Sequence, residues 1–266
     1  MSKQSILSVI FLLLCTFPGY AEEEDPCRGD QMLLSLINRP SISDSPCTVP
    51  PKEVLVEAGL QRQDILGGGN ALSGPALALR LGVSNNSEFM LNPPNYIYQS
   101  IYPNSGFTAG SLSFKHRFFY NQSWIISGDA YIAPPSGSAA FGSPHVQATV
   151  NGIFYHIINE AFSCQLQVGV SQFSDSKVAG AEEYQSVNPD FLISYTLKKN
   201  IALYSEFYGQ TKSSYSQSFG SVAGLGLIYL YNKKTTFDVS FYHEIQGGLY
   251  GLGDFVGVGV TRLFGS

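Results

Sequence analysis

The chain has 266 residues and a formal net charge of −5, and only 13% of its residues are charged, about half the share of an ordinary soluble domain. With 18 Phe, 16 Tyr and 27 Gly it is rich in strand and turn formers and poor in helix formers. The mildly acidic balance, with no basic patch, excludes nucleic acid as a partner. So few charges would also leave a soluble domain with an apolar, aggregation-prone surface.

Residues 1–21 read as a secretory signal. Lys3 supplies the positive end, Ile6–Phe17 a 12-residue apolar run too short to span a bilayer, and Gly19–Ala21 a small-residue cleavage site. Leu14 precedes Cys15 where a lipoprotein signal has Gly or Ala, which argues against lipidation. Residues 22–52 form a Pro/Ser-rich arm, expected to be periplasmic. Export implies an oxidising compartment. Cys27 and Cys47, 20 residues apart in that arm, are expected to form a disulfide that restrains a segment with little core of its own. Cys164 lies at an apolar position and is read as inert.

From residue 53 to 266 the chain alternates. Val54, Val56, Ala58 and Leu60 oppose Glu53, Glu57 and Gln61. Next, Leu77, Leu79, Leu81 and Val83 oppose Ala78, Arg80 and Gly82. The pattern recurs at Phe162–Val170 against Ser163–Ser171, at Phe191–Leu197 against Asp190–Thr196, and at Phe237–Ile245 against Asp238–Gln246. These segments run about 10–14 residues, long for a soluble sandwich and right for tilted membrane strands. Their connections alternate too. The odd ones, beginning with residues 63–70, are long; the even ones at 84–87, 120–123, 158–161, 198–200 and 231–234 are tight. The fold class expected is therefore all-β, a transmembrane antiparallel up-and-down barrel of about twelve strands. It would lie in the bacterial outer membrane with both termini periplasmic. Pro93 and Pro94 cannot donate ladder hydrogen bonds and predict a bulge or an early strand end. Phe118, Phe119, Tyr120, Trp124, Tyr195, Tyr229, Tyr231 and Tyr242 divide between the interfacial girdles and the lumen, and the sequence does not say which go where.

Two further observations concern function. His116, His145, His156 and His243 fall on separate strands with no metal-ligand spacing and no compact Ser/His motif, so neither a metal, a cofactor nor an enzyme is expected. The charges at lumen parity are Glu57, Arg80, Lys115, Arg117, Asp129, Asp190, Glu206, Asp238 and Glu244. They either pair across the interior or line a water path that selects solutes. Twelve strands imply a narrow or partly plugged lumen that passes only small molecules.

The stretch 38–61, with Asn38-Arg39-Pro40, Ser45-Pro46 and Thr48-Val49-Pro50-Pro51 leading into Val54–Gly59, resembles the start of the bacterial outer-membrane transporter family of the meta-pathway of phenol degradation. Residues 76–92 are similar to that family's second strand, tight turn and third strand, and residues 255–266 to its last strand. Cys27 and Cys47 are additions to the pattern. The resemblance implies a channel or transporter for small, hydrophobic or aromatic solutes. Its partners would be outer-membrane lipid, the solute and the general outer-membrane assembly machinery. The alternative is a non-conducting barrel with an adhesin or envelope-structural role through its long loops.

Overall fold

A computed structural model describes residues 25–247, 249 and 252–265; the signal reading of residues 1–21 lies outside them. Fifteen strand segments form one antiparallel sheet, and the last pairs with the first, closing the wall. The first crossing is β1 (Val54–Ile65). The second is split into β2 (Asn70–Gly74) and β3 (Ala78–Ser84), the third into β4 (Ser87–Asn92) and β5 (Tyr96–Gln99), and the fourth into β6 (Ser105–Phe107) and β7 (Ser111–Tyr120). Eight unbroken strands follow: β8 (Trp124–Ala133), β9 (Gln147–Ile157), β10 (Phe162–Ser174), β11 (Glu183–Lys198), β12 (Ile201–Gln210), β13 (Gly220–Asn232), β14 (Thr235–Gln246) and β15 (Leu252–Phe264). The wall is thus crossed twelve times. Closure runs from Val54 opposite Phe264 to Ile65 opposite Leu252, so the first and last strands leave no open edge between them.

The three interruptions lie side by side on neighbouring crossings. Pro93 and Pro94 separate β4 from β5, as their missing donors require, and Pro75 separates β2 from β3. Single bonds, Ala76 N–H to Gly59 O (2.8 Å) and Thr108 N–H to Asn95 O (2.9 Å), stitch the break to its flanks. Tight turns at 85–86, 121–123, 158–161, 199–200 and 233–234 lie on one rim. Connections 100–104, 134–146, 175–182 and 211–219 lie on the other. The first connection is shorter than expected, only residues 66–69, because β1 and β2 continue pairing as far as Asp64 opposite Asn70.

Side chains sort by parity as the alternation dictates. Outward positions such as Leu60, Phe89, Leu166, Val170, Phe191, Leu225 and Phe241 are exposed, and inward ones such as Glu57, Arg80, Gln165, Asp190 and Thr236 are buried. On a lipid-facing wall this apolar exterior is what the bilayer core requires. Aromatic pairs ring the tight-turn end: Trp124 stacks on His156 (centroids 4.1 Å apart), Phe162 on Tyr195 (4.6 Å), and Tyr231 meets Phe237 edge-on (6.1 Å). Two of the girdle-or-lumen aromatics are interior. Tyr242 is fully buried, and Tyr120 packs on the interior cluster near the tight turns. Their hydroxyl-bearing rings suit a polar interior as well as an interface, which parity alone does not separate.

Candidate functional site: a lumen filled by the N-terminal arm

The segment expected as a periplasmic lead-in is folded into the barrel as a hairpin, entering and leaving at the tight-turn rim. Arg28 bonds Asn85 O (3.0 Å) at that rim, Asn38–Asp44 form the inner tip, and Thr48 returns to Asn85 O (3.1 Å). Cys27 and Cys47 are disulfide-bonded, with Cα atoms 5.4 Å apart, and both are fully buried. They tie the two limbs together at the base of the hairpin.

The base is apolar. A short helix, α1 (Leu33–Leu36), places Leu33 and Leu36 with Ile37 and Val49 against the inward-facing wall residues Leu55, Ile125, Ala202, Ile228, Leu230 and Leu263. Burying each large aliphatic side chain contributes on the order of 1.5–3 kcal/mol, so this cluster anchors the arm. Apolar residues at lumen parity make no sense in a water-filled pore, and they explain why the wall's pattern breaks near its tight turns.

The tip is held by charge. Glu57 accepts the backbone N–H of Asn38 (3.2 Å) and Arg39 (2.9 Å). Glu206 accepts those of Ile42 (3.0 Å) and Ser43 (2.9 Å) together with the Ser43 hydroxyl (2.7 Å) and the Tyr242 hydroxyl. Glu88 accepts Val49 N–H (2.7 Å), and Gln167 accepts Asp44 N–H (2.9 Å). In the other direction Arg80 donates to Leu36 O (2.6 Å) and Cys47 O (3.2 Å), and Lys115 to Ser45 O (2.9 Å). Arg117 pairs with Asp25 (2.5 Å). Hydrogen bonds to charged groups contribute roughly 1.5–3 kcal/mol each, and a coil segment buried without such partners would be prohibitive.

Arg39 illustrates how the wall is shaped for the arm. Its guanidinium bonds Asp238 (3.3 Å) and Val258 O (3.2 Å) while lying flat on Gly59 and Gly259, where a Cβ would collide with it. Gly82 likewise leaves room for the Val49 and Pro50 carbonyls.

Of the nine charges expected at the lumen, Glu57, Arg80, Lys115, Arg117, Glu206 and Asp238 bond the arm. Asp129 is buried and bonded to Asn151 (2.8 Å), and Asp190 is buried beside Glu206. Glu244 is half-buried, with its N–H on Asp254 (2.9 Å). Sequence reasoning missed Glu88, Asp44, Asn38 and Arg39 as members of this site. The arm's polar residues carry no periodicity, and Glu88 sits next to a turn where parity is hard to assign.

Beyond the tip the interior opens into a cavity of about 520 Å³ extending toward the long-connection rim. It is lined by Asn38, Arg39, Ile42 and Asp44 of the arm and by Tyr131, Asn151, Gln167, Asn188, Phe173 and Tyr208 of the wall. The histidines do not converge. Ser87 and His116 meet at 2.8 Å on the outer wall, His145 faces Glu183 (3.5 Å), and His243 bonds Asp254 (2.9 Å). Among the described residues no three candidate metal ligands gather.

Solved structures share the fold at low identity, three of them as follows. An outer membrane channel from Pseudomonas putida F1 superposes with a TM-score of 0.66 at 10% identity, covering 84% of this chain and 100% of that one. The KdgM porin in complex with disordered oligogalacturonate gives 0.56 at 13% identity, covering 79% and 99%. The NanC porin gives 0.53 at 8% identity, covering 79% and 98%. No curated protein sequence matches the chain. The family model described as "Putative MetA-pathway of phenol degradation" matches residues 37–258, from Ile37 in the arm's base to the closing strand, and the chain belongs to that family.

Proposed function

We propose that the protein is an outer-membrane channel for small solutes, with its tight-turn rim and both termini on the periplasmic side, and that its own N-terminal arm sets the conducting state. The observation that carries this reading is the division of the lumen. A cavity of about 520 Å³ with mixed polar and apolar walls reaches toward the long-connection rim, and below it the arm fills the passage. Tyr131, Phe173, Tyr208 and Ile42 give the cavity apolar walls beside its polar groups, a mixture suited to small aromatic or hydrophobic molecules carrying a polar substituent. Glu57, Arg80, Lys115, Arg117, Glu206 and Asp238 act on this reading as the receptor for the arm. Solutes pass when the hairpin withdraws toward the tight-turn rim. Asp129, Asp190 and Glu244 remain facing the passage.

The test is solute uptake by proteoliposomes holding refolded protein, with and without residues 22–50, each checked for a boiling-dependent gel shift. Flux of phenol-sized solutes that rises when the arm is removed supports the reading. A folded barrel with no flux in either form would sink it in favour of a structural barrel.

A further inference from the structure

The interior holds more negative than positive charge. Seven carboxylates are buried there against three buried cations and the half-buried Arg39. The imbalance is local. The cations pair with Asp25, Glu57, Glu88 and Asp238, whereas Asp44, Asp129, Asp190 and Glu206 have no ion-pair partner among the described residues. Three of these four are served by donors: Asp44 by Asn38 and Tyr131 (both 2.6 Å), Asp129 by Asn151, and Glu206 by the arm and Tyr242.

Asp190 is not served. It is 1% exposed, and neither carboxylate oxygen receives a hydrogen bond. Its electrostatic neighbours are Glu206 and Asp44, and the Glu206 carboxylate could bond it only through a shared proton. Two residues away on the same inward face lies Asn188, 4% exposed, which donates to Ser171 (2.7 Å) and leaves its own Oδ1 unpartnered. Asn188 lines the cavity. Asp190 and Asn188 Oδ1 are therefore orphaned buried acceptors on one face, and Asn188 and Asp190's neighbour Asp44 both line a space large enough for a small molecule. A buried carboxylate without a donor or counter-charge carries a desolvation cost of several kcal/mol, which a bound cation removes.

We propose that the floor of the interior cavity binds a monovalent cationic group, an alkali cation or a protonated primary amine, between Asp190 and the Asn188 side-chain carbonyl, with Asp44 and Glu206 supplying the surrounding negative field. Among the described residues no three metal ligands gather, and the orphaned acceptors, one carboxylate and one neutral amide oxygen, match a single positive charge. The binding itself stands apart from conduction. Its consequence, a preference of the lumen for cationic over anionic solutes, rests on the channel reading.

The test is calorimetric titration of full-length refolded protein with benzylammonium chloride, benzyl alcohol, sodium benzoate and potassium chloride. Saturable binding of benzylammonium or of potassium is expected, with none of benzyl alcohol or benzoate. Competition by potassium assigns the site to an alkali cation; amine binding indifferent to potassium assigns it to an ammonium group. Asp190→Asn should weaken the binding at least tenfold while keeping the gel shift of the folded barrel. Should that variant fail to fold, Asn188→Leu, which leaves every charge in place, should weaken it severalfold. Undiminished binding in whichever of these variants folds would overturn the proposal. So would the absence of saturable cation binding to the unmodified protein, leaving Asp190 to share a proton with Glu206. A protein that binds cations but never conducts would refute the channel reading and leave the site. One that conducts without binding would do the reverse.

Discussion

Arg80 on β3 and Glu57 on β1 form a fully buried ion pair at 2.9 Å, and both also bond the arm, Arg80 at Leu36 O and Cys47 O, Glu57 at the N–H groups of Asn38 and Arg39. The same guanidinium reaches Glu88 at 2.9 Å. One interior network thus joins wall strands and arm, and its cost of desolvation is met by hydrogen bonds on both sides. Arg80→Met leaves Glu57 buried without its counter-charge and Glu88 with only Lys115, at 3.6 Å. A loss of roughly 3–5 kcal/mol is expected, read as a lower urea midpoint of the folded barrel in detergent. An unchanged midpoint would show that the network contributes nothing net.

The disulfide acts on the arm rather than on the wall. Joining cysteines 20 residues apart restrains the free arm by about 3 kcal/mol in the loop-entropy account, so Cys27→Ser with Cys47→Ser should let the hairpin leave the lumen more often. Protease cutting between residues 28 and 46 should accelerate at least tenfold while the gel shift of the barrel persists. Equal cutting rates would mean that the apolar base alone fixes the arm.

Filling the slot under Arg39 should expel the tip without touching the base. Gly59→Val places a side chain where the guanidinium lies. The expected result is faster hydrogen exchange at Asn38–Asp44 with little change at Leu33 and Leu36. Unaltered exchange at the tip would show that the wall yields instead.

Acid should loosen the outer limb. Burial alone would push the Asp25 carboxyl up, but the hydrogen bonds from Arg117 and Cys27 N–H, with the charges of Arg117 and Arg28, outweigh it and hold it below its ordinary 3.8. A depressed folded value means that the contribution is fully present above the ordinary carboxylate range and is lost as the pH falls through the lowered value. Protease protection near Cys27 should therefore be flat above about pH 4 and decline below it, and Asp25→Asn should remove that dependence. Protection equally flat in both proteins would sink this assignment.

Much of the wall was legible beforehand because lipid outside and polar side chains inside impose period-2 alternation directly on residues such as Leu166, Gln167 and Val168. Pro93 and Pro94 announced the break between β4 and β5 for the same backbone reason. The arm's position was not legible. Glu57, Arg80 and Lys115 look alike whether they face water or another stretch of chain, so parity found them and left their partners open. The signal that was present and unused is the run of apolar residues at lumen parity, Leu55, Ile125, Ile228 and Leu263, matched by Leu33, Leu36, Ile37 and Val49 in the arm. Tyr120 and Tyr242 are interior, a division the sequence leaves open because an aromatic with a hydroxyl suits a membrane interface and a polar interior equally.

The central claim, that the arm closes the passage, is tested most directly by single-channel conductance in planar bilayers. The unmodified protein is compared with the triple variant Cys27→Ser, Cys47→Ser, Gly59→Val, each verified as a folded barrel by its gel shift. The account predicts small, intermittent conductance for the unmodified protein and a severalfold larger, sustained conductance for the variant. Equal conductance in the two proteins would contradict it.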